Sequence, residues 1–336
     1  MPAEESGAHE SKEARYQRVT KGKSALTGTL SERLAGIGYR LGWKAIPRVP
    51  EPLARWAFAQ TADIAWRRQG RGVRQLEANL ERVLPPGAGG QDLRALSREA
   101  MHSYARYWLE AFRLQTIPLE RILSGMHIEG PGERAAFGHM KLGRGVIFAL
   151  PHMGNVEQAA AWINLRGAEG ITAVAERLKP ESVYQAFVKY REALGMEMLP
   201  LTGGVSSFGI LARRLRAGRL ACLVVDRDLT GTGIEVGFFG EKVKFPATAA
   251  VLAVHTGAVL MPVATWFEGD SGWGARIYDE IPVPETGDRK GKIQVMTQQL
   301  ASVFEQAIRE HPRDWHVLQR VFAADLDPQG EPASRL

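Results

Sequence analysis

Four short apolar runs recur along this chain, each separated from the next by enough residues for a helix. They lie at residues 145–150 (GVIFAL), 170–175, 220–225 (LACLVV) and 259–266. Runs of this length, rich in branched side chains and without polar alternation, read as strands buried on both faces. Helical patterns fill the intervals at 156–165, 180–194 and 247–255, with a further helix ending at 213–219. Such alternation predicts an α/β fold: a mixed, mainly parallel central sheet flanked by helices. Residues 233–245 (GIEVGFFGEKVKF) add a strand, a turn and a second strand, and 294–310 a late helix.

The sheet pattern is preceded by a different texture. Residues 1–28 mix Glu, Lys, Ser and Gly with few apolar groups and predict a disordered tail. From 29 to 115 the pattern is helical and amphipathic. Tyr39, Trp43, Trp56, Phe58 and Trp66 alternate with Arg33, Arg40, Lys44, Arg48, Arg55, Arg67, Arg68 and Arg71, and Tyr104, Tyr107, Trp108 and Phe112 follow at helical spacing. Two readings fit the first group: rings and arginines meeting a membrane headgroup region, or rings in the core with the arginines solvated. The expected organisation is a tail at 1–28, one α/β domain at 29–322 whose first part (29–115) faces the membrane, and a flexible tail at 323–336.

Charge and cysteine content narrow the setting. Lys plus Arg exceed Asp plus Glu by 43 to 37, a net +6. That surplus suits an anionic partner such as an acidic membrane surface or a phosphorylated coenzyme. Recognisable nucleic-acid modules are missing, so nucleic acid is not expected as a partner. The single cysteine, Cys222, excludes an intrachain disulfide. No secretory h-region opens the chain, which places it by expectation on the cytoplasmic side. The longest uncharged stretch, 245–267, has the length of a membrane span, but Pro246, Gly257 and Pro262 break it into a helix, a turn and a strand.

The most informative segment is Pro151-His152-Met153-Gly154-Asn155-Val156-Glu157, directly after the first strand. Ligands of α/β sheets meet the loops at the carboxyl ends of strands, so His152 stands at the expected mouth of a site. A neutral imidazole there can take a proton from a hydroxyl as its oxygen attacks a carbonyl, and a carboxylate can fix its tautomer. Asn155 can cap the following helix, with Glu157 in its first turn. The bland alternative is that these polar groups only satisfy backbone at a strand–helix junction. Asp226, in VVDRD after a later strand, can orient a base or pair structurally with Arg227. Phe238 and Phe239 read as core, and the arginines at 213, 214, 216 and 219 as a solvated helix end or a phosphate contact. No serine-hydrolase elbow, dinucleotide glycine pattern or zinc spacing is present.

The HMGNVE box behind GVIFALP, the later block VVDRDLTGTGIEVGFFGEKVKFPATAAVLAVHTGAVLMPV and the amphipathic helices before both resemble the bacterial lipid A biosynthesis acyltransferase family over roughly residues 30 to 322. Within the family, the likeness is to actinobacterial members that act on phosphatidylinositol mannosides. The resemblance implies transfer of a fatty acyl chain, typically palmitoyl, from acyl-CoA, a substrate rather than a cofactor, to a mannose 6-hydroxyl. It also implies peripheral attachment at the cytoplasmic face of the inner membrane. By motif it assigns His152 as general base, Glu157 as the acid of the box and Asp226 as the charge-relay partner. Arg191, Asn155 and Arg227 follow as substrate-binding candidates, and backbone amides near Gly154 and Asn155 as oxyanion donors. No metal is expected. The alternatives are a non-catalytic lipid-binding or transfer protein, and a family member acting on a lipid A precursor.

Overall fold

In the computed structural model the described residues are 42 and 45–326, apart from 86, 169, 176–180, 194, 201–206 and 229–230. The expected tail at 1–28, together with Tyr39, Trp43, Arg33, Arg40 and Lys44, lies outside them.

The sheet is built around β2 (Val146–Leu150), every residue of which is buried. Its neighbours are β5 (Leu220–Val224) and β8 (Val259–Glu268), both parallel to it. Beyond them lie β3 (Thr172–Ala175) and β4 (Glu197–Pro200) on one side, β9 (Gly272–Ile277) and β1 (Met126–Glu129) on the other. The order is β1-β9-β8-β2-β5-β3-β4, parallel throughout except where β8 meets β9. Because successive side chains point to opposite faces, Ile147 and Ala149 enter one hydrophobic cluster and Val146, Phe148 and Leu150 the other. This double burial is the physical reason the run carries no polar alternation.

On the face of Phe148 lies α6 (Val156–Leu165); on that of Ile147 lie α8 (Ser207–Arg216), α9 (Thr248–Thr256) and α10 (Arg289–Glu310). Two further helices in chain order, α5 (Gly132–Lys141) and α7 (Glu181–Ala193), complete the connections, and the short α4 (Leu119–Ser124) precedes β1. The hairpin β6 (Ile234–Phe238) and β7 (Glu241–Phe245) turns at Phe239 and Gly240, both at positive φ. Phe238 and Phe239 are core, packed on Phe245 and Trp315.

The N-terminal part is α1 (Glu51–Arg68), α2 (Arg71–Val83) and the long α3 (Gly90–Arg113). Val73, Leu76, Leu80 and Val83 form a buried stripe on α2 that joins the core under the sheet. Along α1 the aromatics divide. Trp66 turns inward, its indole donating to Ser97 with Arg94 over the ring, and Phe58 packs edge-on against Phe112. Trp56 is 61% exposed, on one outward face with Leu53 and Ile64, beside the exposed Arg67 and Arg68. The core reading therefore holds for the inward face of this helix, while its outward face carries exposed apolar and basic side chains together. No helix among the described residues is long and apolar enough to cross a membrane.

Two expectations need correction. The tail does not begin at 323: Ala323–Asp325 form a 3-10 turn, and Asp325 is held by Arg82 at 2.8 Å and by Gln75. Three strands also escape the sequence pattern. β1 and β4 are four-residue edge strands, and β9 carries Gly272 and Gly274, poor strand formers by propensity. Gly274 is required because a Cβ there would lie 2.2 Å from the Trp266 ring.

Candidate active site

Since β2 and β5 run parallel with Leu150 opposite Val224, the residues two places beyond each strand also meet. Those are His152 and Asp226. The imidazole Nδ1 lies 2.5 Å from Asp226 Oδ1, while the His152 backbone N–H donates to Oδ2 at 2.9 Å and the Trp315 indole N–H to the same oxygen at 3.0 Å. Burial pushes the fully enclosed Asp226 carboxyl up, but the imidazole and these two donors outweigh it, so its pKa ends below the usual carboxylate range. An ionised Asp226 requires the proton on Nδ1, leaving Nε2 as the basic nitrogen of a ring whose side chain is 35% exposed.

The loop that carries the ring is fastened at nearly every step. The His152 carbonyl accepts from the His316 amide, the Met153 carbonyl from the Thr265 hydroxyl, and the Gly154 amide donates to the Asp314 carbonyl. Gly154 has φ +56°, and a Cβ would lie 2.5 Å from the Thr265 carbonyl, so this turn admits only glycine. Asn155 then caps α6, its Oδ1 accepting from the Gln158 amide at 3.0 Å.

Glu157 is buried in the first turn of α6 and forms a two-pronged ion pair with Arg191 of α7. Both line an apolar cavity between α6 and the sheet. Val156, Ala159, Ala160 and Ile163, one face of the helix, form its roof. Its floor crosses all seven strands, from Ile128 through Ile277, Val263, Phe148, Cys222 and Ala173 to Met198. Six strand spacings of about 4.8 Å make that floor roughly 29 Å wide. The cavity begins beside the loop that carries His152, since Leu150, Val156 and Glu157, which flank His152 in sequence, are in its wall.

A family profile described as Bacterial lipid A biosynthesis acyltransferase matches residues 30–324. The chain belongs to this family. Among similar proteins, the phosphatidylinositol mannoside acyltransferase of Mycolicibacterium smegmatis is 43% identical over 303 residues, covering 89% of this chain and 95% of that protein. The protein of the same name from Mycobacterium tuberculosis is 44% identical over 315 residues, covering 90% and 92%.

In this acyltransferase the residues singled out by sequence fall into two groups. His152 and Asp226 meet directly. Glu157 does not contact that pair; it is ion-paired with Arg191, whose side chain is mostly buried. Asn155 is buried with both amide atoms engaged inside the protein, Oδ1 at the helix cap and Nδ2 on Glu110. Arg227 donates to Gln319 at 2.6 Å. The Gly154 amide donates to the Asp314 carbonyl at 2.8 Å. Among the other basic candidates, Arg214 pairs with Glu197 and Arg216 meets His255, at the opposite end of the strands from His152.

Sequence reasoning missed the second half of the site. Trp315 holds Asp226, and behind it the Ser103 hydroxyl lies 2.5 Å from Asp314 and 2.8 Å from His316 Nε2, all buried. Glu110 was hidden because, four residues after Arg106, it looks like an ordinary helix-surface pair.

Proposed function

We propose that this acyltransferase esterifies a sugar hydroxyl of a phosphatidylinositol mannoside with a long acyl chain, palmitoyl by the family resemblance, delivered as acyl-CoA. The observation that carries the chemistry is the His152–Asp226 pair at the tip of β2 beside an apolar cavity under α6. Nε2 of His152 removes the proton of a mannose 6-hydroxyl; the oxygen attacks the thioester carbonyl, the carbon–oxygen bond forms, the carbon–sulfur bond breaks and the imidazolium returns its proton to the departing CoA thiolate. Asp226 stabilises the imidazolium in between. Proton transfer of this kind contributes roughly 10²–10⁴-fold, the remainder coming from positioning. The chain enters the cavity under α6, where the ionised Glu157–Arg191 pair closes the polar end.

The acceptor reading rests on the printed names of relatives sharing 43–44% identity across most of the chain. The outward face of α1, with Leu53, Trp56 and Ile64 beside Arg67 and Arg68, suits the anionic cytoplasmic leaflet: rings and aliphatics enter the headgroup boundary while arginines meet phosphates. The test is incubation of the purified protein with labelled palmitoyl-CoA and vesicles carrying phosphatidylinositol mannosides or a lipid A precursor. Esterified mannoside is expected; esterification of the lipid A precursor alone overturns the acceptor, and tight binding with no ester in either arm overturns catalysis.

A further inference from the structure

A carboxylate on the N-terminal helices reaches the loop of His152 from outside the two motif blocks of the sequence. Glu110, on α3, is 4% exposed. One of its oxygens accepts from Arg106 Nε at 2.7 Å; the other accepts from Asn155 Nδ2 at 2.8 Å and from the Trp273 indole at 2.7 Å. Arg106 in turn donates to the carbonyls of Gly269 and Gly272 and lies 4.2 Å over the Phe267 ring. A buried carboxylate is costly unless charged and polar donors surround it, and these come from three separate parts of the chain: α3 itself, strand β9 and the residue before α6.

We infer that Glu110 is a positioning residue for acyl transfer: it fixes the start of α6 relative to the tip of β2. Rigidity makes this effective. The backbone from His152 to Gly154 is tied to Asp226, His316, Thr265 and Asp314, so Asn155 is the point where the loop hands over to the helix. One side-chain atom of Asn155 sets the helix cap and the other is held by Glu110. The bond therefore governs the separation between the His152 ring and the Glu157–Arg191 pair two residues along, which is the separation between the base and the mouth of the acyl cavity. The inference rests on the reading of the site given above, because misplacement matters only if both lie on one reaction path.

The test compares Glu110→Gln and Asn155→Ser with a distant core variant, Leu300→Ala, in full-length protein. Glutamine cannot accept from all of the donors gathered there, and serine keeps the helix cap but has no amide to give Glu110. Both are expected to lower kcat about 10–100-fold at saturating palmitoyl-CoA, as angstrom-scale misplacement does, with the pH midpoint of the rate unchanged because the His152–Asp226 contact is intact. Leu300, buried in the core on α10, should lose melting temperature on truncation and keep kcat. The exchange Glu110→Gln with Asn155→Asp restores a bond at the same place and should recover part of the rate. If Glu110→Gln does not fold, Asn155→Ser decides. Wild-type kcat in the single variants, an equal loss in Leu300→Ala, or a shifted pH midpoint overturns the inference. The absence of any ester from wild-type protein instead overturns the reaction itself, so the two failures are told apart.

Discussion

His152 holds Asp226 twice, through its ring Nδ1 and through its own backbone N–H, and this double contact decides what an amide at position 226 would do. In Asp226→Asn the two N–H donors, from His152 and Trp315, claim the remaining oxygen, so the new NH2 group must face Nδ1. Nδ1 then has to accept, the ring proton moves to Nε2, and the base points its proton at the substrate. The expected outcome is a kcat drop of roughly 10³–10⁴-fold, as for a base in the wrong tautomer, with circular dichroism unchanged. Transfer within tenfold of wild type would show that Asp226 does not set the tautomer. His152→Ala should remove the same activity while leaving binding of palmitoyl-CoA intact.

The Glu157–Arg191 pair gives a different signature, because neither group touches the ring. Glu157→Ala leaves the mostly buried Arg191 guanidinium without its principal partner and should cost about 3–5 kcal/mol, read as a lowered urea midpoint. A paired replacement, Glu157→Leu with Arg191→Met, should restore much of the stability, since apolar substitutes for a buried ion pair are often neutral or better. If it also restored full acyl transfer, the ion pair would have no part at the polar end of the cavity.

Much of this arrangement was legible before the fold was known, for a reason specific to parallel sheets. Double burial makes β2 apolar throughout, β5 is apolar along its length as well, which marks both strands, and equal register makes the residue two places past each strand a neighbour of the other. The strand pattern marks His152 and Asp226 as residues at strand tips; that they face one another came from the family resemblance, and the register explains it. The partner of Glu157 was not legible, because periodicity places a residue on a helix face without saying which distant helix packs there. The contributions of Ser103, Glu110 and residues 314–316 were hidden for the same reason: each acts across more than 40 positions of sequence, from segments whose local pattern shows only a helix or an irregular turn.

Cys222 supplies a measure of the cavity. Its thiol faces the floor between Phe148 and Ala173, and burial pushes its pKa up to about 12. It should resist iodoacetamide at pH 8, where an exposed thiol reacts readily. Cys222→Phe fills the floor beneath α6 and should shift preference toward shorter acyl-CoA donors, by roughly tenfold or more in the ratio of kcat/KM for twelve- over sixteen-carbon chains. An unchanged ratio would place the acyl chain elsewhere.

Acid stability carries the last prediction. Burial, helped by the nearby His152, pushes the pKa of His316 down to about 3 from an ordinary value of 6.5. Between those values the unfolded chain binds a proton at this position and the folded one does not, so stability rises with pH across the window and is lost as pH falls from 6.5 toward 3. Asp226, lowered in the fold, acts in the same sense but only near and below its ordinary value of 3.8. Asp314 runs the other way: burial raises it, so its contribution is present at low pH and lost as pH rises through its folded value. In the upper part of the window His316 acts together with His311, which burial also lowers, while His127, raised by its hydrogen bond to Glu268, opposes them. Unfolding free energies from urea titrations between pH 7.5 and 5 should fall in the wild type, by about 2 kcal/mol from His316. His316→Asn, which keeps a polar group near Ser103 but cannot titrate, should start less stable and show a flattened slope. An equally steep decline in that variant would assign the acid sensitivity to another group.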